Sequence, residues 1–93
     1  MSPEQIEILA MNNKPMPDNL SPPQVMLFQT MAALYARYRT GIISREQGRK
    51  NKSAILCAYQ RMNNEYEQFL AICREYQKRI VNGYDLRRNK DDS

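Results

Sequence analysis

Between residues 35 and 50 the chain places five cations and two phenols that could together hold an anion: Arg37, Arg39, Arg45, Arg49 and Lys50, with Tyr35 and Tyr38. Guanidinium groups grip phosphate oxygens through paired N–H donors, and an ammonium adds a point charge. A tyrosine ring beside them offers a face on which a nucleobase can stack. Residues 37–61 hold those five cations plus Lys52 and Arg61 against one acid, Glu46, so this stretch alone exceeds the net charge of +4 carried by the whole chain. Other chemistries lack their groups. Histidine is absent, which removes the commonest general base and the commonest transition-metal ligand. The two cysteines, Cys57 and Cys73, have no zinc-type spacing, the carboxylates are scattered, and neither a glycine-rich phosphate loop nor a nucleophile motif occurs. The expectation is a non-enzymatic protein with no catalytic residues, no metal ligands and no cofactor.

Helices must position these side chains. Three Ser-x-x-Gln boxes, Ser2–Gln5, Ser21–Gln24 and Ser44–Gln47, mark three helix starts. In such a box the serine accepts from a first-turn N–H while the glutamine reaches back to the cap. Pro3, Pro22 and Pro23 suit a first turn, where the missing N–H is not needed. The predicted helices are about 3–11, 22–40 and 45–82, in one domain over 1–83. The first, with Ile6, Leu9 and Ala10 on its apolar face, is too short to stand alone. Residues 12–20 read as an extended, proline-rich connection in which Leu20 can staple onto Val25. The second helix, which Gly41 ends, carries a stripe of Leu27, Met31, Leu34, Tyr35 and Tyr38 beside Phe28. Its other side, with Val25, Met26, Ala32, Ala33 and Ala36, is also largely apolar. Either the first helix and its linker cover that side or it is a subunit contact.

The third helix has a steady rhythm. Ile55, Tyr59, Met62, Tyr66, Phe69, Cys73, Tyr76 and Ile80 are spaced alternately by four and three, the seam of a coiled-coil-like helix roughly 55 Å long. Gly83 reads as its stop, and 84–93 as a flexible charged tail in which Tyr84 or Leu86 can tuck in. The short Thr40–Ile43 connection folds the second helix antiparallel onto the first half of the third. The fold class is therefore all-α: a short N-terminal helix plus an antiparallel helical hairpin. Too little chain remains to bury Tyr66, Phe69, Cys73, Tyr76 and Ile80, so a homo-oligomer is expected through them. On that seam Cys73 reads as a small buried hydrophobe. No apolar run approaches a transmembrane length and no signal pattern opens the chain, so the expected location is the cytoplasm with no membrane partner.

The position of the charge is informative. Arg45, Arg49 and Lys50 crowd the first turns of the third helix, where the helix dipole prefers acids and each cation costs a few tenths of a kcal/mol. A bound anion would reverse that sign, since cations and free N–H groups together make a phosphate site. Tyr35, Tyr38 and Tyr59 lie near this end and could stack on a base. Three readings stand: a solvated basic surface with core tyrosines, an anionic ligand or nucleic acid, and an acidic protein partner. A basic-zipper or helix-turn-helix docking mode is rejected, because the basic stretch is short, the seam is tyrosine-rich and the third helix is long.

Residues Leu34-Tyr35-Ala36-Arg37-Tyr38-Arg39-Thr40-Gly41-Ile42-Ile43-Ser44-Arg45-Glu46-Gln47-Gly48 resemble small helical proteins of Firmicutes phages and prophages, with a shared pattern of Leu-Tyr-x-x-Tyr-Arg-x-Gly-x-Ile-x-Arg-Glu. In length and helical-hairpin plan the chain is also similar to the anti-CBASS helical sponge proteins, which oligomerise and trap cyclic oligonucleotides. What the resemblance implies is an anti-defence protein acting in the host cytoplasm by sequestering an anionic nucleotide signal. The alternatives are an anti-CRISPR-type inhibitor that binds a host defence protein and a small nucleic-acid-binding phage regulator.

Overall fold

A computed structural model describes residues 1–91, with side chains described for residues 1–78. It is all-helical: α1 is Pro3–Met11, α2 is Pro22–Arg39 and α3 is Arg45–Asp91. Each helix opens on one of the serine boxes. Gln5, Gln24 and Gln47 donate their backbone N–H to Ser2, Ser21 and Ser44 Oγ at 3.2, 3.4 and 3.1 Å. Their side-chain Oε1 atoms accept the serine N–H at 2.9, 3.0 and 3.1 Å. Two otherwise orphaned donors are satisfied at each start.

The two shorter helices stop in the same way. At the end of α1, Lys14 N–H donates to the Leu9 carbonyl at 2.9 Å and Asn13 N–H to Ala10 at 3.2 Å, with Asn13 at φ 56°. At the end of α2, Ile42 N–H donates to Arg37 at 2.9 Å and Gly41 N–H to Tyr38 at 3.1 Å, with Gly41 at φ 79°. Both are Schellman motifs, whose left-handed residue turns the chain sharply out of the helix. Helix α3 continues past Gly83, where the sequence placed a stop. A lone glycine weakens a helix interior by about 1 kcal/mol relative to alanine but does not by itself end it. The side chains of the expected tail at 84–93 lie outside the described ones.

The chain divides into two compact units, Met1–Asn63 and Asn64–Ser93. In the first, α1 lies along α2 and runs the same way. Gln24 Nε2 donates to the Met1 carbonyl at 2.8 Å near the helix starts, and Arg39 Nη1 donates to the Met11 carbonyl at 3.1 Å near their ends. The connection at 12–20, which turns at Asn13 (φ 56°) and again at Asn19 (φ 65°), carries the chain back for a parallel return. The core consists of Ile6 and Ala10 of α1, Leu27, Phe28, Met31 and Leu34 of α2, and Tyr59 of α3, with Ile6 and Met31 fully excluded from solvent. Leu20, Ile43, Ile55, Leu56 and Met62 pack around it. Of the second apolar side of α2, Ala32 packs on this core, whereas Met26 stays 54% exposed. Tyr59 belongs to the core rather than to the basic end, which corrects its grouping with Tyr35 and Tyr38 as a stacking ring.

The described part of the second unit belongs wholly to α3. There Tyr66 and Cys73 are half-buried, while Phe69 and Tyr76 are 64% and 59% exposed. Within a single chain the Cys73 thiol is therefore half-buried. The Ile80 side chain lies outside the described ones. No helix among the described residues is long and apolar enough to cross a membrane.

Candidate anion-binding cleft

Residues from α2 and α3 meet around an open cleft of about 430 Å³ in the first unit. Leu34, Tyr35 and Tyr38 line it from α2, and Arg45, Gly48, Arg49 and Lys52 from α3. Helical geometry selects these residues. Tyr35 and Tyr38 are three apart, and Arg45, Arg49 and Lys52 follow at intervals of four and three, so each set shares one helix face. Gly48 lies between the arginines, and a Cβ there would stand 3.9 Å from Ile43 Cδ1, an ordinary contact.

One side of the cleft is braced by an acid from α1. Glu7 Oε2 accepts the Tyr35 hydroxyl at 2.6 Å and pairs with Lys52 Nζ at 3.1 Å. A half-buried carboxylate therefore ties all three helices together. Burial, then the hydrogen bond to Glu7 and the charge of Glu7, push the Tyr35 phenol up to about 12. Tyr35 donates its hydroxyl proton to Glu7 while also lining the cleft.

Arg45 and Arg49 have no carboxylate partner among the described residues. Both sit in the opening turns of α3, where the unsatisfied N–H groups and the helix dipole already favour negative charge. Lys52 is neutralised by Glu7, so two unbalanced guanidiniums face the cleft beside the half-exposed ring of Tyr38. Guanidiniums without a carboxylate partner beside an exposed phenol ring are groups that can hold an anion.

Of the seven residues expected to bind an anion, Tyr35, Tyr38, Arg45 and Arg49 come together here. The other three do not. Arg37 lines a separate groove with Thr30, Ala33, Asn51 and Ala54. Arg39 is engaged with the Met11 carbonyl, where a cation complements the negative end of α1. Lys50 is exposed and lines neither surface. The sequence reading missed Lys52 and Glu7. Lys52 could have been found from its spacing to Arg45 and Arg49, whereas Glu7 is 45 residues away and carried no local signal. Among the described residues no group of three His, Cys, Asp or Glu side chains could hold a metal ion.

No protein-family model matches the chain, and no curated protein or solved structure is significantly similar to it.

Proposed function

We propose that the protein is a non-enzymatic binder of a phosphate-bearing nucleotide, held in the cleft between α2 and α3. One observation carries the reading: four residues chosen for anion chemistry line a single cleft, and its two arginines lack carboxylate partners. In the bound state Arg45 and Arg49 grip phosphate with the first N–H groups of α3, and Tyr38 stacks on the base. Lys52 and Tyr35 hold the wall in place through Glu7. The resemblance of residues 34–48 to phage proteins makes a cyclic oligonucleotide defence signal, sequestered in the host cytoplasm, the first ligand to test.

The reading includes two structural proposals. The first is that α2 and α3 form an antiparallel hairpin. Its support is the order of shared surfaces: Tyr35 and Tyr38 line one with Arg45–Lys52, Thr30–Arg37 one with Asn51–Ile55, and Met26–Thr30 one with Ile55–Met62. Positions descend along α2 as they rise along α3. The second is that the chain self-associates through the later part of α3, where large apolar side chains are exposed.

The test is native mass spectrometry of untreated protein, followed by thermal shift against linear and cyclic nucleotides. With no tryptophan and six tyrosines, a co-purified nucleotide also raises the 260/280 absorbance ratio visibly. A stabilising nucleotide whose effect is lost in Arg45→Ala and Arg49→Ala supports the proposal. A nucleotide-free protein with no shift across the panel overturns it. Binding to long DNA or RNA with a steep salt dependence would instead favour the regulator reading. Retention of a defence protein, insensitive to Arg45→Ala, would favour the inhibitor reading.

A further inference from the structure

We infer that the stripe Tyr66–Tyr76 of α3 packs on the same stripe of a second copy, with the two helices antiparallel about a two-fold axis level with Ala71. This inference rests on the self-association proposed above and assigns its partner face, orientation and register. The described residues of the second unit all belong to α3, so none of them comes from another element that covers the stripe. Phe69, Ile72 and Tyr76 are 64%, 55% and 59% exposed. Together they expose roughly 300 Å² per chain, to which half-buried Tyr66, Leu70 and Cys73 add, a sizeable share of the ~800 Å² per partner of a standard interface.

The order of side chains selects the orientation. Tyr66, Phe69, Cys73 and Tyr76 occupy successive seam positions, with Leu70 and Ile72 flanking them on either side. A two-fold contact is self-complementary, so residue i meets j and j meets i. In an antiparallel pair centred at Ala71, Phe69 meets the partner's Cys73 and Tyr66 meets the partner's Tyr76. Leu70 then lies near the partner's Leu70, and Ile72 near the partner's Ile72. In the two central layers large packs on small, Tyr66 and Tyr76 pair ring with ring outside them, and the apolar flanks stay together. A parallel, in-register pair fares worse on the same sequence. It sets Phe69 against the partner's Phe69 and Cys73 against the partner's Cys73, crowding one layer and hollowing the next. It also sets Glu65 against the partner's Leu70.

The test uses the full chain carrying Cys57→Ser, which leaves Cys73 as the sole thiol. Light scattering should give a two-chain mass. Mild oxidation should produce no covalent dimer, because four residues of axial offset, about 6 Å, add to the helix separation and exceed the reach of a disulfide. Adding Phe69→Cys should then give a covalent dimer on a non-reducing gel, through the partner's Cys73. Should Phe69→Cys weaken the pair, Tyr66→Cys combined with Tyr76→Cys and Cys73→Ser places a second facing pair at the outer layers, which should also link. A one-chain mass overturns both this inference and the self-association reading. A two-chain mass with linkage through Cys73 alone, or with no linkage in either engineered form, overturns the antiparallel register and leaves self-association standing.

Discussion

Glu7→Gln separates the bracing role of this carboxylate from the proposed anion binding. The substitution keeps an oxygen acceptor for the Tyr35 hydroxyl, now at 2.6 Å from Glu7 Oε2, but removes the charge that also holds Lys52 at 3.1 Å. A hydrogen bond to an ionised acceptor contributes about 1.5–3 kcal/mol against about 1 for a neutral one, so roughly 1 kcal/mol is lost at Tyr35. The Lys52 side chain is 38% exposed, and such a screened pair adds no more than about 0.5–1 kcal/mol. A loss of about 1–2 kcal/mol should lower the melting temperature by roughly 5–12 °C in a domain of this size. Circular dichroism during thermal and urea unfolding measures it. A double-mutant cycle with Tyr35→Phe should return a coupling of about 1 kcal/mol. The second readout runs the other way. Freed from its acid, Lys52 becomes a third unbalanced cation on the cleft, so the less stable variant should bind phosphate-bearing ligand more tightly. Wild-type stability together with additivity within about 0.3 kcal/mol in the cycle would refute the bracing role. Weaker ligand binding in a folded variant would refute the charge argument.

Three further outcomes follow from the same geometry. The Tyr35 phenol, raised to about 12, stays protonated in the folded state after its unfolded counterpart ionises near 10. Its contribution to stability is therefore full below about pH 10 and is lost as pH rises toward 12, and the late-ionising amplitude at 295 nm should shrink in Tyr35→Phe. Gly41→Ala and Gly48→Ala should have opposite signs in urea unfolding. Alanine at Gly41, with φ 79°, is strained by about 1–2 kcal/mol, whereas at Gly48 it gains up to about 1 kcal/mol of helix propensity with its Cβ in ordinary contact. Ser44→Ala removes the cap of α3 and should lower stability by about 1 kcal/mol, with Ser44→Gly milder by the same measurement.

The local signals were legible because they depend on neighbours three to five residues away. The serine boxes and Gly41 contain within themselves the groups that satisfy helix ends, so the starts of all three helices and the end of α2 could be read directly. The apolar stripe of α2 was legible for a similar reason, since Leu27, Met31 and Leu34 recur at helical spacing. Long-range partners were not legible. Nothing near Glu7 indicates that it meets Tyr35 and Lys52, because that depends on α1 returning parallel to α2 across the 12–20 segment. The same packing gives Arg39 its acceptor at Met11 and so removes it from the cleft. Arg37 and Lys50 failed for a reason the sequence did contain. Each is adjacent to a cleft residue, and adjacent residues on a helix point about 100° apart. Charge density along the chain identified the neighbourhood, and only the helical phase separates the side chains that share a surface.

The full burial of Met31 has a chemical consequence. Its thioether is sealed at the centre of the core, whereas Met1, Met11, Met16 and Met26 are each more than 40% exposed. Peroxide converts accessible thioethers to sulfoxides, so the surface methionines act as internal controls and Met31 reacts only while the helices are apart. The chain thus carries its own clock for core opening, and a ligand that clamps the first unit slows that clock without touching the sulfur it reads.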